Sequence, residues 1–403
     1  MKYLVLLGDG MADYPLQELG GKTPLQVAKK PNMDRLAKEG VLGLVRTVPP
    51  GLPPGSDVAN LAVFGYDPQR YYTGRSPLEA AGMGVELGEE DVTFRCNLVT
   101  LSAEAKYEEK KMVDYSAGEI GTDEATLLIK DLATEFNSPA KTFYPGVSYR
   151  HLLVWRNGPL RAELTPPHDI SDRVIGPYLP QGKGAGELLF LLKESQRILS
   201  KHPVNQQRVA RNLAPANSIW LWGQGTKPQL PGFYEKYRLR GAVISAVDLA
   251  KGLGACAGLE VIDVAGATGN INTNFAGKAE AALSAFRTGA DFVYLHIEAA
   301  DEAGHHGELG TKIEAIERID QEALGRILRE LPAISPEYKI LLLPDHPTPL
   351  SVKTHVADPV PFAIYSSNNK QPGSSSPFDE ESAARTGLFI EPGHSLMDRF
   401  LLG

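Results

Sequence analysis

The stretch Y-L-V-L-L-G-D-G at residues 3–10 decides the fold class. Its first five residues are all apolar, which is typical of a strand buried on both faces in a parallel sheet. The strand stops at Gly8, and Asp9 follows between two glycines. In open α/β sheets, sites lie beyond the carboxyl ends of the strands. We therefore predict an α/β fold with Asp9 at the functional edge of its sheet, although Asp between glycines is also a common turn residue.

Similar polar residues follow other predicted strands. The run at 291–297 precedes E-A-A-D-E-A-G-H-H-G, and the run at 339–343 precedes P-D-H-P. A further turn reads T-H-V-A-D-P-V-P at 354–361. Because parallel strands end at one edge of a sheet, we expect the Asp and His side chains of these segments to converge, namely Asp9, Asp301, His305, Asp345, His346 and His355.

These side chains suit a metal site. Carboxylate oxygens and imidazole nitrogens favour Mn, Zn, Co or Mg over metals that prefer thiolates. Six such ligands are enough for two ions, and a pair of ions can hold the attacking and leaving oxygens of a phosphoryl transfer. We leave three other histidines out of the ligand set. His296 lies within a strand, where a core or wall position is expected, and His306 and His394 are the other two.

The stretch P-P-G-S-D-V-A-N-L at 53–61 places Ser56 at the start of a predicted helix. A serine at that point is a good N-cap, because its hydroxyl can accept a hydrogen bond from a free backbone N–H. A helix N-terminus also favours a phosphoryl group, so Ser56 is equally a candidate nucleophile and a seventh metal ligand. The stretch itself does not decide between these interpretations.

Composition limits the class of protein. The chain has 403 residues and a net charge of −8, with 42% apolar and 22% charged residues, as is usual for a globular protein. We predict no nucleic-acid partner, because the basic residues are scattered. Two distant cysteines form no disulfide framework, and no apolar run is long enough to span a membrane. We therefore expect a cytoplasmic protein with no membrane partner, and we predict no particular oligomeric state.

The chain changes character near residue 107, where a charged segment begins. We predict a core domain from residues 1–109 and 237–403, interrupted by a smaller α/β domain at 110–236. A loop rich in Ser, Asn and Gly is expected at 366–382. Before a predicted helix, Arg75 could bind phosphate, although it could also be an ordinary surface or packing arginine.

Together the motifs resemble those of the alkaline phosphatase metalloenzyme superfamily. The segments that carry this resemblance are G-D-G at 8–10, P-G-S-D-V-A-N at 54–60, A-A-D-E-A-G-H at 299–305, D-H-P-T-P at 345–349 and T-H-V-A-D-P-V-P at 354–361. Within the superfamily the chain resembles the archaeal-type cofactor-independent phosphoglycerate mutases along nearly its whole length. Segments specific to that family are H-P-V-N at 202–205, P-A-N-S-I-W-L-W-G-Q-G at 215–225 and G-A-T-G at 266–269.

The resemblance implies a metallophosphatase-like core with a largely parallel sheet between helices, and an inserted cap domain that binds substrate. One ion would be held by Asp301, His305 and His355, and the other by Asp9, Ser56, Asp345 and His346. Ser56 would be the nucleophile. Lys278 matches a lysine that the family places near the transferring phosphate, although it could also be an ordinary lysine near a helix start. The cap candidates for substrate contact are Arg150, His151, His168 and Asp169, which could instead be polar residues of the cap core.

The implied reaction interconverts 3-phosphoglycerate and 2-phosphoglycerate through a phosphoserine. It needs two divalent metal ions, with manganese expected first, and no 2,3-bisphosphoglycerate. One departure is T-G-R-S-P-L at 73–78, where the family more often has a G-R-G-P-F type of sequence. Two enzymatic alternatives on the same core therefore stay open: a phosphotransferase acting on homoserine or another small alcohol, and a phosphohydrolase. A non-enzymatic, metal-stabilised binding protein would leave Ser56 with no purpose beyond capping.

Overall fold

A computed structural model of the chain describes residues 1–368 and 374–403. Residues 369–373, in the middle of the loop predicted at 366–382, lie outside the described residues. The rest forms two compact units. The core unit consists of residues 1–72 and 229–403, and the inserted unit consists of residues 73–228.

The strands and α-helices of the described residues are numbered in chain order. The strands are β1 Lys2–Gly8, β2 Val41–Val45, β3 Asp91–Leu101, β4 Met112–Asp114, β5 Lys141–Tyr144, β6 Arg150–Arg156, β7 Ala162–Glu163, β8 Gln181–Gly182, β9 Ser218–Thr226, β10 Gly241–Ile244, β11 Glu260–Ile262, β12 Phe292–Ile297, β13 Tyr338–Leu343, β14 Val360–Ser366 and β15 Phe389–Ile390. The helices are α1 Pro24–Val27, α2 Pro31–Glu39, α3 Ser56–Val63, α4 Pro68–Tyr71, α5 Ser76–Gly82, α6 Thr122–Phe136, α7 Ala185–Leu199, α8 Pro203–Ala210, α9 Phe233–Tyr237, α10 Asp248–Cys256, α11 Phe275–Arg287, α12 Ala299–His306, α13 Leu309–Arg318, α14 Gly325–Ile334, α15 Glu380–Arg385 and α16 Ser395–Leu402.

The core unit is built on one sheet with the strand order β11-β10-β12-β1-β13-β14-β2-β15. Strand β1 lies near its middle and pairs in parallel with β12 and β13. Only β14 runs against the other strands of this described sheet, pairing antiparallel with both β13 and β2. The prediction of an α/β fold with a largely parallel sheet is therefore confirmed.

Helices cover both faces of this sheet, which explains why β1 is apolar at every central position. Leu4 and Leu6 belong to a large cluster that includes Phe275 and Phe286 of α11. On the opposite face the ring of Tyr3 packs edge-on against Phe400 of α16, with ring centroids 5.7 Å apart. This arrangement leaves the carboxyl ends of the strands as the place where polar side chains gather.

The inserted unit has a mainly antiparallel sheet in which β3 is the central strand. It pairs with β6 on one side and β9 on the other, while β5 lies beyond β6 and β4 pairs with the end of β3. Helices α6 and α7 supply much of the unit's apolar core. The unit thus begins at 73 and ends at 228, whereas the bounds predicted from the sequence were 110–236. Strand β3 precedes residue 110 but belongs to the inserted unit, because its two main partners, β6 and β9, both follow residue 110.

Among the helices of the described residues, none combines the length and the apolar character that crossing a bilayer requires.

Candidate active site

Asp9 directly follows β1, and its backbone N–H donates to the carbonyl of Ile297 at the end of neighbouring β12. The next residue, Gly10, has a φ of +63°, and a Cβ placed there would lie 2.6 Å from the Cα of Asp301. Glycine at this position therefore meets two needs, the left-handed backbone conformation and the close approach of helix α12. The G-D-G motif brings two acidic residues from distant parts of the chain together.

The first group of possible metal ligands comprises Asp9, Asp345 and His346, whose donor atoms all lie within 4.8 Å of one another. His346 Nε2 lies 3.6 Å from Asp9 Oδ1 and 3.4 Å from Asp345 Oδ2. It also lies 3.1 Å from the hydroxyl oxygen of Ser56. Asp9, Asp345 and His346 are buried, and Ser56 is half-buried.

Hydrogen bonds on the other side of the His346 ring indicate its tautomer. The hydroxyl of Thr348 donates to Asp301 Oδ1 and lies 3.3 Å from His346 Nδ1. Because Thr348 has a single hydroxyl proton, Nδ1 must be the donor towards its oxygen. We assign the Nδ1–H tautomer, so Nε2 presents a lone pair towards Ser56, Asp9 and Asp345. Burial also lowers the pKa of His346 to about 4, which keeps the ring neutral.

A second group of donor atoms within 4.8 Å of one another comprises Asp301, His346 and His355, and His305 adjoins Asp301 and His355. Asp301 and His305 are four residues apart on α12, and His305 Nε2 lies 3.3 Å from Asp301 Oδ2. His305 Nε2 is also 2.9 Å from His355 Nε2, which in turn lies 3.6 Å from Asp301 Oδ1. His305 Nδ1 lies 3.1 Å from the carbonyl of Lys353 and can donate to it. Because His305 Nε2 and His355 Nε2 lie only 2.9 Å apart, either one of them carries a proton or a cation lies between them.

Electrostatics also favour cations at this edge. Burial, followed by the nearby carboxylates of Asp345 and Asp301, raises the pKa of Asp9 well above its usual range. Within residues 1–368 and 374–403, the buried Oδ1 atom of Asp9 has no hydrogen-bond partner. At Asp301 burial raises the pKa, but the imidazoles of His355 and His305 outweigh it and hold the pKa well below its usual range. Divalent ions would satisfy both the unpartnered oxygen and the surplus of acceptors, so the residues present fit a metal centre.

The helix-cap interpretation of Ser56 is wrong. Gly55 takes the N-cap position of α3, and Ser56 is the first helical residue. Its hydroxyl points to His346 Nε2. Gly55 has an extended backbone with a φ of 178°, and because this residue takes the cap position, the Ser56 hydroxyl is left available for chemistry.

Asn60 and His296 make hydrogen bonds to the site that were not predicted from the sequence. Asn60, fully buried on α3, donates from Nδ2 to both the backbone carbonyl of Ser56 and Asp345 Oδ2, each at 2.8 Å. Its Oδ1 accepts from the hydroxyl of Tyr294 on β12 at 2.5 Å. His296, expected as a core or wall residue, is buried on the same strand with Nε2 2.9 Å from Asp9 Oδ2. The Asn in S-D-V-A-N, one helical turn after Ser56, is the signal that could have identified Asn60.

Lys278 lies on α11 and is fully buried. Its ammonium group donates to the carbonyl of His296 at 3.2 Å. Burial lowers the pKa of Lys278 to about 8, although the carboxylate of Glu298 opposes this shift. A buried cation beside the backbone of β12 is suited to an anionic ligand.

In the inserted unit, two of the five predicted substrate-binding residues lie on β6. Arg150 begins the strand and is exposed, with its guanidinium 5.3 Å from the ring centre of Tyr149. His151 is buried, and its Nδ1 accepts from the N–H of Gly146 at 3.0 Å. Its Nε2 is buried without a hydrogen-bond partner in the part of the chain that the structure describes. Burial and the charges of Arg150 and Arg95 lower the pKa of His151 to about 3, so the ring is neutral.

Of the other three predicted residues, Arg75 and His168 contact Trp222 of β9, and Asp169 neighbours His168. The guanidinium of Arg75 lies 5.8 Å from the Trp222 ring, and the ring of His168 meets it edge-on at 5.2 Å. Asp169 Oδ1 lies 3.5 Å from His168 Nε2. Arg95, which was not predicted from the sequence, is a buried cation of β3 whose guanidinium is 5.0 Å from the same ring. Its alternation with apolar Phe94 and Cys96 was the available signal.

A carboxylate orients this cationic cluster. Glu79 Oε1 accepts from Arg75 Nε at 3.0 Å and from Arg95 Nη1 at 2.5 Å. Burial raises the pKa of Glu79, but Arg95 and Arg75 outweigh it and the net pKa is lowered. The Nε atom of Arg95 is buried and has no hydrogen-bond partner among the described residues. The charge of Arg150 also acts on Glu79, so this cluster of Arg75, Arg95, Arg150 and Glu79 carries a surplus of positive charge.

Comparisons with known proteins identify relatives along the whole chain. A family model described as 2,3-bisphosphoglycerate-independent phosphoglycerate mutase matches residues 37–205. A Geobacter sulfurreducens protein named as a probable 2,3-bisphosphoglycerate-independent phosphoglycerate mutase is 54% identical over 401 residues, which is 100% of both chains.

Solved structures give the same result for the fold. A Pyrococcus horikoshii protein has a TM-score of 0.79 at 32% identity, covering 99% of this chain and 96% of that one. The cofactor-independent phosphoglycerate mutase of Thermoplasma acidophilum has a TM-score of 0.63 at 28% identity, covering 100% and 99%.

Proposed function

The chain belongs to the family of 2,3-bisphosphoglycerate-independent phosphoglycerate mutases, and from that premise we propose that Ser56 carries the phosphoryl group between the two positions of glycerate. The enzyme interconverts 3-phosphoglycerate and 2-phosphoglycerate, and its relatives are named as phosphoglycerate mutases. Family membership favours this reaction over the phosphotransferase and phosphohydrolase alternatives.

The position of the Ser56 hydroxyl carries this proposal. The hydroxyl stands at the first turn of α3, 3.1 Å from His346 Nε2, beside buried carboxylates. A serine placed only to cap a helix would turn its hydroxyl towards a backbone N–H of its own first turn. The free N–H groups and the positive dipole end of α3 favour a phosphate ester at this position.

The reaction divides into two transfers at phosphorus. Ser56 Oγ loses its proton and bonds to phosphorus, while the bond from phosphorus to the glycerate oxygen breaks and that oxygen takes up a proton. The glycerate then reorients, and its other hydroxyl loses a proton and bonds to the same phosphorus as the bond to Ser56 Oγ breaks and Ser56 Oγ regains a proton. The ammonium of Lys278 stabilises negative charge on the phosphoryl oxygens in both transfers.

Two divalent metal ions complete the proposed site. Asp9, Ser56, Asp345 and His346 would hold one ion, and Asp301, His305 and His355 the other, with manganese as the first choice for such oxygen and nitrogen ligands. When bound, such ions lower the pKa of a coordinated hydroxyl and offset charge on phosphoryl oxygens.

The inserted unit supplies substrate recognition in this proposal. Glycerate is an anion, and the Arg75, Arg95 and Arg150 cluster has a surplus of positive charge that suits its carboxylate. His151, His168 and Asp169 are polar groups of the same unit that can contact hydroxyls. Water must be kept from the phosphoserine, because hydrolysis would turn a mutase into a phosphatase. We place the enzyme in the cytoplasm, since its substrates are intermediates of glycolysis.

An enolase-coupled assay tests the proposal. Protein loaded with Mn²⁺ is given 3-phosphoglycerate, without ATP and without 2,3-bisphosphoglycerate, and formation of 2-phosphoglycerate is followed. Free phosphate is measured in parallel. We expect 2-phosphoglycerate with little free phosphate. Release of phosphate as the main product would indicate a phosphohydrolase, and absence of 2-phosphoglycerate in metal-loaded protein would contradict the proposal.

A further inference from the structure

A chain of buried hydrogen bonds lies behind Asp9. His296 Nε2 lies 2.9 Å from Asp9 Oδ2, and His296 Nδ1 lies 3.0 Å from the hydroxyl oxygen of Ser245. All three side chains are buried, at 2% exposure or less. Ser245 follows β10 and His296 lies on β12, and these two strands are neighbours in the sheet. The three residues therefore come from three separate strand ends.

The donor and acceptor of each hydrogen bond in this series can be assigned. The backbone N–H of Val247 donates to Ser245 Oγ at 2.9 Å. The Asp9 carboxylate can only accept, so His296 Nε2 carries the ring proton and donates to Asp9 Oδ2. His296 Nδ1 then accepts the hydroxyl proton of Ser245. Asp9 is left with Oδ1, the atom that has no hydrogen-bond partner among the described residues and lies 3.6 Å from His346 Nε2.

We propose that His296, held by Ser245, is a positioning residue that fixes the Asp9 carboxylate so that Oδ1 is directed towards Asp345 and His346, with which it would hold an ion. The inference rests on the metal centre of the proposed function. Ligating groups generally depend on outer hydrogen-bond partners that fix their orientation. Here the imidazole is the partner and the carboxylate is the ligand.

The arrangement at Tyr294 shows that His296 is specific to Asp9. Tyr294 lies two residues earlier on β12 and therefore on the same face of the strand. Its hydroxyl donates to Asn60, which in turn holds Asp345. Strand β12 thus orients Asp9 through His296 and Asp345 through Tyr294 and Asn60. Loss of His296 should therefore remove support from Asp9 and leave that of Asp345 in place. A residue that only filled the core would weaken the fold without selecting one ion.

Metal binding by chelator-treated protein tests the inference, with Mn²⁺ titrated in a calorimeter and bound metal counted after dialysis. In His296→Leu we expect one ion to bind about 10-fold to 100-fold more weakly and the other to bind as in the wild type. His296→Gln should recover most of the affinity, because its amide can place an N–H near the position of Nε2. Val293→Ala, which alters a buried residue of the same strand in the large apolar cluster, should lower the melting temperature and leave both affinities unchanged.

The outcomes separate this inference from the proposed function. Two ions bound by the wild type and bound equally well by His296→Leu would overturn the positioning role and leave the metal centre standing. A wild type that binds no Mn²⁺ would overturn the metal centre itself. If His296→Leu does not fold, Ser245→Ala decides, since it removes only the partner of Nδ1. Selective weakening of one ion in Ser245→Ala supports the inference, and unchanged binding of both contradicts it.

Discussion

Asn60 Nδ2 lies 2.8 Å from the backbone carbonyl of Ser56 and 2.8 Å from Asp345 Oδ2. One buried amide therefore ties the proposed nucleophile's backbone to a carboxylate from another strand end. Asn60 and Asp345 are 285 residues apart in the sequence. The relationship makes the geometry of the nucleophile depend on the loop after β13.

We expect Asn60→Ala to lower kcat by about 10-fold to 100-fold, as loss of an outer partner of a ligand typically does. KM should change little, because Asn60 is fully buried and bonds to Ser56 and Asp345, so no contact between Asn60 and the substrate is expected. Alanine suits a helix interior, so α3 should persist. Tyr294→Phe is the matched control, since it removes only the hydroxyl that reaches Asn60, and its effect should be smaller. Wild-type kcat in Asn60→Ala, measured in the enolase-coupled assay, would contradict the account.

The pH dependence of kcat/KM should report Lys278. Lysine is charged below its pKa, and burial lowers the pKa of Lys278 to about 8. The stabilising charge is therefore present at neutral pH and is lost as the pH rises through about 8. Lys278→Arg should be slower overall but should not show that decline, because guanidinium stays charged throughout this range. An identical decline in both proteins would assign the titration to another group.

Arg150→Ala should raise KM for 3-phosphoglycerate by about 10-fold to 100-fold, the range expected when a hydrogen bond to a charged group is lost. The proposal places Arg150 in substrate recognition rather than in the transfer itself, so kcat should change less. Lys193→Ala is the matched control. Lys193 is a cation on α7 of the same unit, 3.5 Å from Glu108. Equal KM values in the wild type and Arg150→Ala would remove Arg150 from the binding site.

Glu380 should make stability depend on pH. Its carboxylate accepts from the N–H of Asp13 and the hydroxyl of Thr23. Burial outweighs these contacts and raises the pKa of Glu380 from 4.5 to about 7. The folded state thus binds the proton more tightly than the unfolded state, so stability falls as the pH rises from 4.5 to about 7 and stays lower above it.

We therefore expect Glu380→Gln to have a higher apparent melting temperature than the wild type at pH 8, with the gain disappearing as the pH falls below 4.5, where Glu380 becomes protonated in both states. Glu381→Gln, at the exposed neighbouring position, is the control and should show no such pattern. The same melting-temperature difference at both pH values would contradict the shifted pKa.

The parts of the site that sequence could predict are those fixed by position along a strand. Asp9, Asp301 and Asp345 follow apolar runs, so their placement at one edge follows from a parallel sheet. The α/β fold follows from the same runs. The family motifs add Ser56 and the roles of the ligands, which remain predictions until metal and phosphate are measured.

The parts that sequence could not predict depend on pairing between strands. His296 reaches Asp9 because β1 and β12 are neighbours in a register that pairs Leu7 with His296. Arg95 lies across from Trp222 for the same kind of reason. The predicted boundary at residue 110 left β3 in the core domain, because nothing in the local sequence shows that this strand pairs with β6 and β9 of the inserted unit. Ser56 looked like a cap because a serine at a helix start is the usual cap, whereas Gly55 holds that position.

The most direct test of the central claim is the phosphorylation state of Ser56 during turnover. Metal-loaded protein is mixed with 3-phosphoglycerate and quenched in acid, and its peptides are analysed by mass spectrometry. The account predicts phosphate on Ser56 in a fraction of the chains, none at this site in Ser56→Ala, and a mutase rate in that variant lowered by at least about 1000-fold, as for loss of other enzymatic nucleophiles. Turnover by Ser56→Ala at the wild-type rate would contradict the account.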